Sequence, residues 1–214
     1  MIKAFLQNNT ENSDNFSNER YLYSRGFLCV AGCDEAGRGP LAGPVVASCV
    51  HLPQNCEHSI FLDSKILSAT RRHYLYQHLL DIQADIGIGI VSERHIERIN
   101  ILQASLLAMQ RAVLDMVSAK SDFILVDGKF TIPINISQVP LIKGESKSCS
   151  IAAASIVAKV ERDRIMKELH EKFPIYNFRQ HKGYPTREHR LAIKENGPCT
   201  AHRRTFKGVR EFVK

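Results

Sequence analysis

The sequence predicts an α/β domain with a basic, helical C-terminal part. Three observations carry that prediction: short apolar runs at 27–50, 85–92 and 123–128 that read as strands, long helix-patterned segments between and after them, and positive charge gathered toward the C-terminus. The 214 residues, 44% hydrophobic, suit one compact domain whose core needs no staples.

The polar stretch QNNTENSDNFSNER at 7–20 has neither helical nor strand period. A flexible tail is therefore expected over 1–24, followed by one domain over 25–214 whose helical C-terminal part begins near 172. From Phe27, the runs FLCVAGC and PVVASCV, separated by Gly and Pro, read as two strands with a tight connection, and Asp34 and Glu35 close the first. TRRHYLYQHLLDIQ offers Thr70 as N-cap and an apolar face of Tyr74, Leu75, Leu79 and Ile82. In DIGIGIVS, Ile86, Ile88 and Ile90 alternate with small residues and predict a third strand with one isoleucine face. Three strands so early imply an antiparallel start.

A second helix is predicted from NILQASLLAMQRAVLDMVSA, with Asn100 as cap and Leu102, Leu106, Met109, Val113 and Met116 turned inward. FILVDG is a continuous apolar run ending on Asp127, which suits a strand buried on both faces. SIAAASIVAKVERDRIMKELH is free of Gly and Pro and predicts a helix from near Ser150 to near His170. That helix would place Ser155, Lys159 and Asp163 four apart on one face. TREHRLAIKENGP closes the series, with Thr186 as N-cap and Gly197-Pro198 as the stop.

Composition narrows the function classes. The six cysteines form no CxxC pair and several sit inside apolar runs, so packing is expected rather than zinc or disulfides. No stretch approaches the ~20 apolar residues of a membrane span, and a signal peptide's apolar segment is lacking, so a cytoplasmic protein is expected. The net charge of +7 is uneven: residues 159–214 carry 15 Lys and Arg against 7 acids, and residues 1–158 carry 14 against 15. A polyanionic partner fits that asymmetry, as does a merely solvated basic face.

The acids are the chemical clue. Asp34 and Glu35 end a strand and are followed at once by Gly37-Arg38-Gly39, and Asp127 ends another strand. Adjacent carboxylates in a poorly solvated corner oppose each other's ionisation, and hard divalent cations offset that cost. Strand ends in α/β sheets are where ligands bind, so the set points to metal-assisted phosphoryl chemistry. Alternatives stay open for single residues: Asp127 could start a turn, and Asp163 could pair with Arg162, Arg164 or Lys167.

Together, DEAGRGPLAGPV, the DSK at 63–65, LVDG, KGESKSCSIAAASIVAKVERD and HKGYPT resemble bacterial ribonuclease HII from about Cys29 to Phe206. The resemblance implies a ribonuclease H-like fold, a mixed five-stranded sheet flanked by helices with a helical C-terminal extension. It implies a two-metal site of Asp34, Glu35, Asp127 and Asp163 using Mg²⁺ or Mn²⁺, and cleavage 5′ to a ribonucleotide that leaves a 3′-hydroxyl and a 5′-phosphate. The implied partners are RNA–DNA hybrid and duplex DNA containing ribonucleotides, in ribonucleotide and primer removal, and a monomer is expected. Gly37, Arg38 and Gly39 match the family's turn that reads the 2′-hydroxyl, and the missing Cβ atoms would let the backbone approach the sugar. Tyr184 matches the tyrosine stacking on the next deoxyribose, and Lys65, Lys143 and Ser148 match phosphate contacts. Lys147, Lys182, His181, His202, Arg203 and Arg204 are weaker choices, and His189 is expected on a helix surface.

Three positions depart from the family pattern. Ile66 replaces a second lysine after DSK, Glu145 replaces a common aspartate, and Glu161 stands where an uncharged residue is usual and is expected on another, exposed helix face. The nearest rival is ribonuclease HIII, which prefers longer RNA tracts and carries an extra N-terminal domain; the short tail and the Gly-Arg-Gly turn favour ribonuclease HII. A dinucleotide-binding protein fits poorly, because Gly37, Gly39 and Gly43 do not form G-x-G-x-x-G. A basic binding module without catalysis would leave the acids unexplained.

Overall fold

The structure, a computed structural model, describes residues 2–8, 14–61, 64, 66–117 and 120–213. Five strands, β1 (Val30–Ala36), β2 (Val45–His51), β3 (Asp85–Val91), β4 (Phe123–Asp127) and β5 (Ser137–Leu141), form one sheet in the order β3-β2-β1-β4-β5. The first three pair antiparallel, as their early clustering predicted, while β4 runs parallel to both β1 and β5. The helices are α1 (Ile2–Asn8), α2 (Ser17–Ser24), α3 (Ala69–Asp81), α4 (Glu93–Asp115), α5 (Cys149–Lys172), α6 (Phe178–His181) and α7 (Arg187–Asn196). This is the mixed five-stranded sheet with flanking helices and a helical C-terminal part.

One apolar layer joins the sheet to α4 through Cys33, Ala47, Ile124 and Val126, and another joins it to α3 and α5 through Val50, Leu75, Leu79, Ala153 and Ile156. A separate layer of Leu41, Met166, Tyr176, Phe178 and Ile193 ties the C-terminal helices to the loop after β1. All six cysteines are free thiols, and four of them are buried. Among the described residues no helix is long and apolar enough to cross a membrane.

Several local readings are corrected. On β3 the glycines, not the isoleucines, form the tightly packed face: a Cβ at Gly87 or Gly89 would lie 1.9 Å from the carbonyl oxygens of Ala112 or Ala108, so α4 rests directly on the strand. For the same reason the inward stripe of α4 is centred on Ala104, Ala108, Met109, Ala112 and Val113, and Leu102, Leu106 and Met116 are only partly buried. Asn100 does cap, its Oδ1 accepting from the N–H groups of Leu102 (3.0 Å) and Gln103 (3.1 Å), but a helical turn capped by Ser92 precedes it. Ser68, not Thr70, caps α3 by accepting from Arg71 N–H. The edge strand β5 escaped the apolar pattern because it contains Pro140, which sheets tolerate at an edge.

The expected flexible tail is also corrected where it is described; residues 9–13 lie outside the described residues. Leu6, Phe16, Asn18, Glu19 and Leu22 are all buried. The polar residues here brace the start of α5: Glu19 Oε1 accepts from the Ser148 hydroxyl (2.5 Å) and from Ser150 N–H (3.1 Å), while Asn18 donates to the Lys147 carbonyl (3.0 Å). Side chains used as caps for a distant helix leave no apolar period to read.

Candidate active site

β1 and β4 lie side by side with Cys33 opposite Val126, so the strand ends bring Asp34 and Asp127 to the same edge. α5 crosses above them and delivers Lys159 and Asp163 to the same groove, which encloses about 790 Å³. Asp34, Glu35, Asp127 and Asp163 all line it, and so do Gly37, Arg38, Gly39 and Tyr184. The surface pairing open to Asp163 is not realised. Arg162 turns inward, and Arg164 binds Glu161 (3.1 Å) and Glu168 (2.6 Å), which leaves Asp163 facing the groove with Arg72 at 3.8 Å.

Burial pushes the Asp34 carboxyl well above the usual carboxylate range, and the charges of Glu35, Asp127 and Glu145 add to this while a Ser155 hydrogen bond opposes it. Glu35 is raised by burial too, partly countered by Arg38, whose guanidinium stands 3.2 Å from it. Asp127 is oriented by the Gly144 N–H, which donates to its Oδ1 at 2.7 Å. Among the described residues no three acidic, imidazole or thiol groups converge tightly enough to make a ready-formed metal cage. The donor set nonetheless fits hard divalent ions: carboxylate oxygens from three elements border one groove, their crowding disfavours ionisation, and arginines already stand where cationic charge is drawn.

Beside the acids, Glu145 accepts from the Ser64 N–H (2.9 Å) and hydroxyl (2.6 Å). Lys159 donates to Ser64 and, at 2.9 Å, to Ser155, which fastens the loop around Ser64 to α5. Glu145 therefore acts inside the protein as an anchor. Glu161 is not exposed either; it is buried and accepts from the Tyr76 hydroxyl at 3.0 Å.

The loop from Gly37 to Pro44, whose first three residues line the groove, is held by two arginines whose importance the sequence reading missed. Arg162 donates to the carbonyls of Pro44 (3.1 Å), Lys182 (3.0 Å) and Ala42 (3.1 Å). Arg203, fully buried, donates to Gly43 (2.9 Å), Arg38 (3.0 Å), Gly37 (2.6 Å) and Pro44 (3.2 Å). Burial lowers both guanidinium pKa values, to about 10 and about 9, so both remain charged at neutral pH. Gly37 has φ +100°, and a Cβ there would fall 2.2 Å from Arg162 Nε, so its bareness serves the packing beneath the loop. Gly39 is open toward the groove, with a Tyr184 ring carbon 3.7 Å from where a Cβ would stand.

The other predicted contacts divide. Lys182 lines the groove, and Lys143 is exposed but outside the groove's lining. Ser148 is fully buried as the N-cap of α5, with its hydroxyl donating to Glu19. Lys65 lies outside the described residues, and Ile66 beside it is exposed. Arg203, His181 and His202 are buried rather than surface cations, and Lys147 donates to the Gln7 carbonyl. His189 is buried as well; its Nε2 lies 3.0 Å from Nε2 of His202 and its Nδ1 2.9 Å from the Tyr184 carbonyl oxygen. Burial depresses His189 to about 4 and His202 to about 3, which keeps both neutral under the KGYPT turn.

The family model described as Ribonuclease HII matches residues 31–209. Ribonuclease HII of Desulfotalea psychrophila is 59% identical over 202 residues, covering 94% of this chain and 90% of that protein. Ribonuclease HII of Bacillus subtilis is 46% identical over 196 residues, covering 92% and 76%. Among solved structures, ribonuclease H2 from Pyrococcus horikoshii superposes with a TM-score of 0.69 at 26% identity, over 86% of this chain and 97% of that one. Bst-RNase HIII in complex with Mn²⁺ shares the fold at 17% identity and a TM-score of 0.67, over 94% of this chain and 74% of that one.

Proposed function

This chain belongs to the ribonuclease HII family and is a hydrolase of the type 2 ribonuclease H class, and from that premise we propose that it cuts duplex DNA on the 5′ side of single embedded ribonucleotides as well as the RNA strand of RNA–DNA hybrids. In this reading Asp34, Glu35, Asp127 and Asp163 hold two divalent ions, Mg²⁺ or Mn²⁺, against the phosphate to be cut. Bound there, such ions would supply water activation and charge neutralisation for an in-line displacement that leaves a 3′-hydroxyl and a 5′-phosphate. The protein's own part is positional. Gly144 N–H orients Asp127, and the inward turn of Arg162 leaves Asp163 facing the groove. Lys143 and Lys182 contact phosphates of the duplex, which fixes its register without reading its sequence.

The observation that carries the single-ribonucleotide reading is the turn beside the acids. Gly37, Arg38 and Gly39 line the groove, with the half-exposed ring of Tyr184 against Gly39. Backbone donors there suit a 2′-hydroxyl, and the ring suits stacking on the sugar of the next nucleotide. The test is cleavage of a labelled DNA duplex holding one ribonucleotide, with Mg²⁺, Mn²⁺ or chelator, mapping the cut and its ends. A metal-dependent cut on the 5′ side with a 3′-hydroxyl is expected. Cutting only within long hybrids would instead assign the specificity of ribonuclease HIII.

A further inference from the structure

We infer that Arg203 is a positioning residue for ribose discrimination: by holding the carbonyls of Gly37 and Arg38, it aims the N–H groups of Arg38 and Gly39 at the ribonucleotide. The inference rests on the function proposed above and adds to it a residue about 165 positions from the turn in sequence, outside the groove's lining.

A trans peptide is planar, and its C=O and N–H point in opposite directions. No cis peptide is present among the described residues. Arg203 Nη2 donates to Gly37 O at 2.6 Å and Nη1 to Arg38 O at 3.0 Å, both from the buried side. The N–H groups sharing those two peptide planes belong to Arg38 and Gly39, and they must point away from the guanidinium. Both residues line the groove, and neither N–H has a hydrogen-bond partner among the described residues.

The far side of the same loop is held by backbone bonds. Leu41 N–H donates to Gly183 O (2.8 Å), Gly43 N–H to Ala201 O (2.8 Å), and Arg203 N–H to Leu41 O (2.8 Å). Only a planar fork with five donors holds neighbouring carbonyls in fixed directions at once; a lysine ammonium is a single, strongly hydrated point. Arg203 therefore converts a glycine-containing turn, flexible in itself, into two donors of fixed aim.

The experiment compares wild type with Arg203→Lys in chelator, where no cutting intervenes. It measures binding of a DNA duplex with one ribonucleotide against the same duplex all in DNA, with a thermal melt recorded on each protein. The ribonucleotide-to-DNA preference is expected to fall about tenfold in Arg203→Lys, the scale of one well-aimed hydrogen bond. A purely structural arginine would shift the melt and leave that ratio in place, and an unchanged ratio in folded Arg203→Lys overturns the inference. Should Arg203→Lys fail to fold, amide NMR of wild type decides. The Arg38 and Gly39 N–H resonances are expected to move with the ribonucleotide duplex and not with the DNA duplex, and identical shifts with both overturn the inference. Failure of the broader reading looks different: wild type itself would show no ribonucleotide preference.

Discussion

Two walls of one groove bury like charges and treat them in opposite ways. On one, Asp34 and Glu35 are crowded by Asp127 and Glu145, and their carboxyls are driven up by burial and mutual repulsion. On the other, Arg162 and Arg203 are buried close to each other, yet seven hydrogen bonds to six backbone carbonyls absorb their charge. The difference teaches where a ligand belongs. A buried charge answered by fixed dipoles is scaffold, and a buried charge that folding leaves costly is reserved for something that arrives later.

The largest expected effect breaks the acidic wall. Asp34→Asn should lower metal-dependent cleavage by roughly three orders of magnitude, the scale for a group needed in the transition state. In chelator the same variant should be more stable than wild type by about 1–2 kcal/mol, because one repelled charge is gone. Loss of stability there would show that the acids are not strained by one another. On the basic wall the sign reverses: Arg162→Met takes the arginine donor from the carbonyls of Lys182 and Ala42 and one of two donors from Pro44, and should cost about 3 kcal/mol, read as a lower urea midpoint. An unchanged midpoint would remove the distinction between the walls.

Tyr184→Ala should reduce cutting at a single ribonucleotide about tenfold relative to long hybrids, from lost stacking against the sugar. Equal loss on both substrates would detach Tyr184 from junction recognition. The smallest effect is a pH dependence. Asp34 and Glu35 have folded values above their ordinary 3.8 and 4.5, so they favour the folded state at low pH and lose that contribution as pH rises through the folded values. Metal-free stability should therefore fall across that window, and Mn²⁺ should restore it by binding the ionised carboxylates. A flat profile with Mn²⁺-independent melting would mean the groove holds no cation.

The acids were legible in the sequence because each sits at the end of a strand or on a helix whose period is plain. Neither a strand broken by Pro140 nor a turn capped by Ser92 announces itself by apolar spacing, and the cap at Ser68 competes with an equally good Thr70 two residues on. The arginines were illegible for a deeper reason. A guanidinium answered by carbonyls from elsewhere in the chain has no local partner to betray it, and Arg203 stands beside Arg204, which remains exposed. His189 misled in the same way: its helix is surface-patterned, but its ring points into the histidine layer beneath Tyr184.

The brace at the N-terminus changes what counts as the functional module. The recognisable family segment starts at residue 31, yet the carboxylate that grips the first turn of α5 belongs to Glu19. A fragment excised at 31–209 would keep all four acids and lose the anchorage of the helix that presents Asp163. Truncations, fusions and chimaeras of this protein should therefore be cut upstream of α2, since the heritable unit of the active site is longer than its signature.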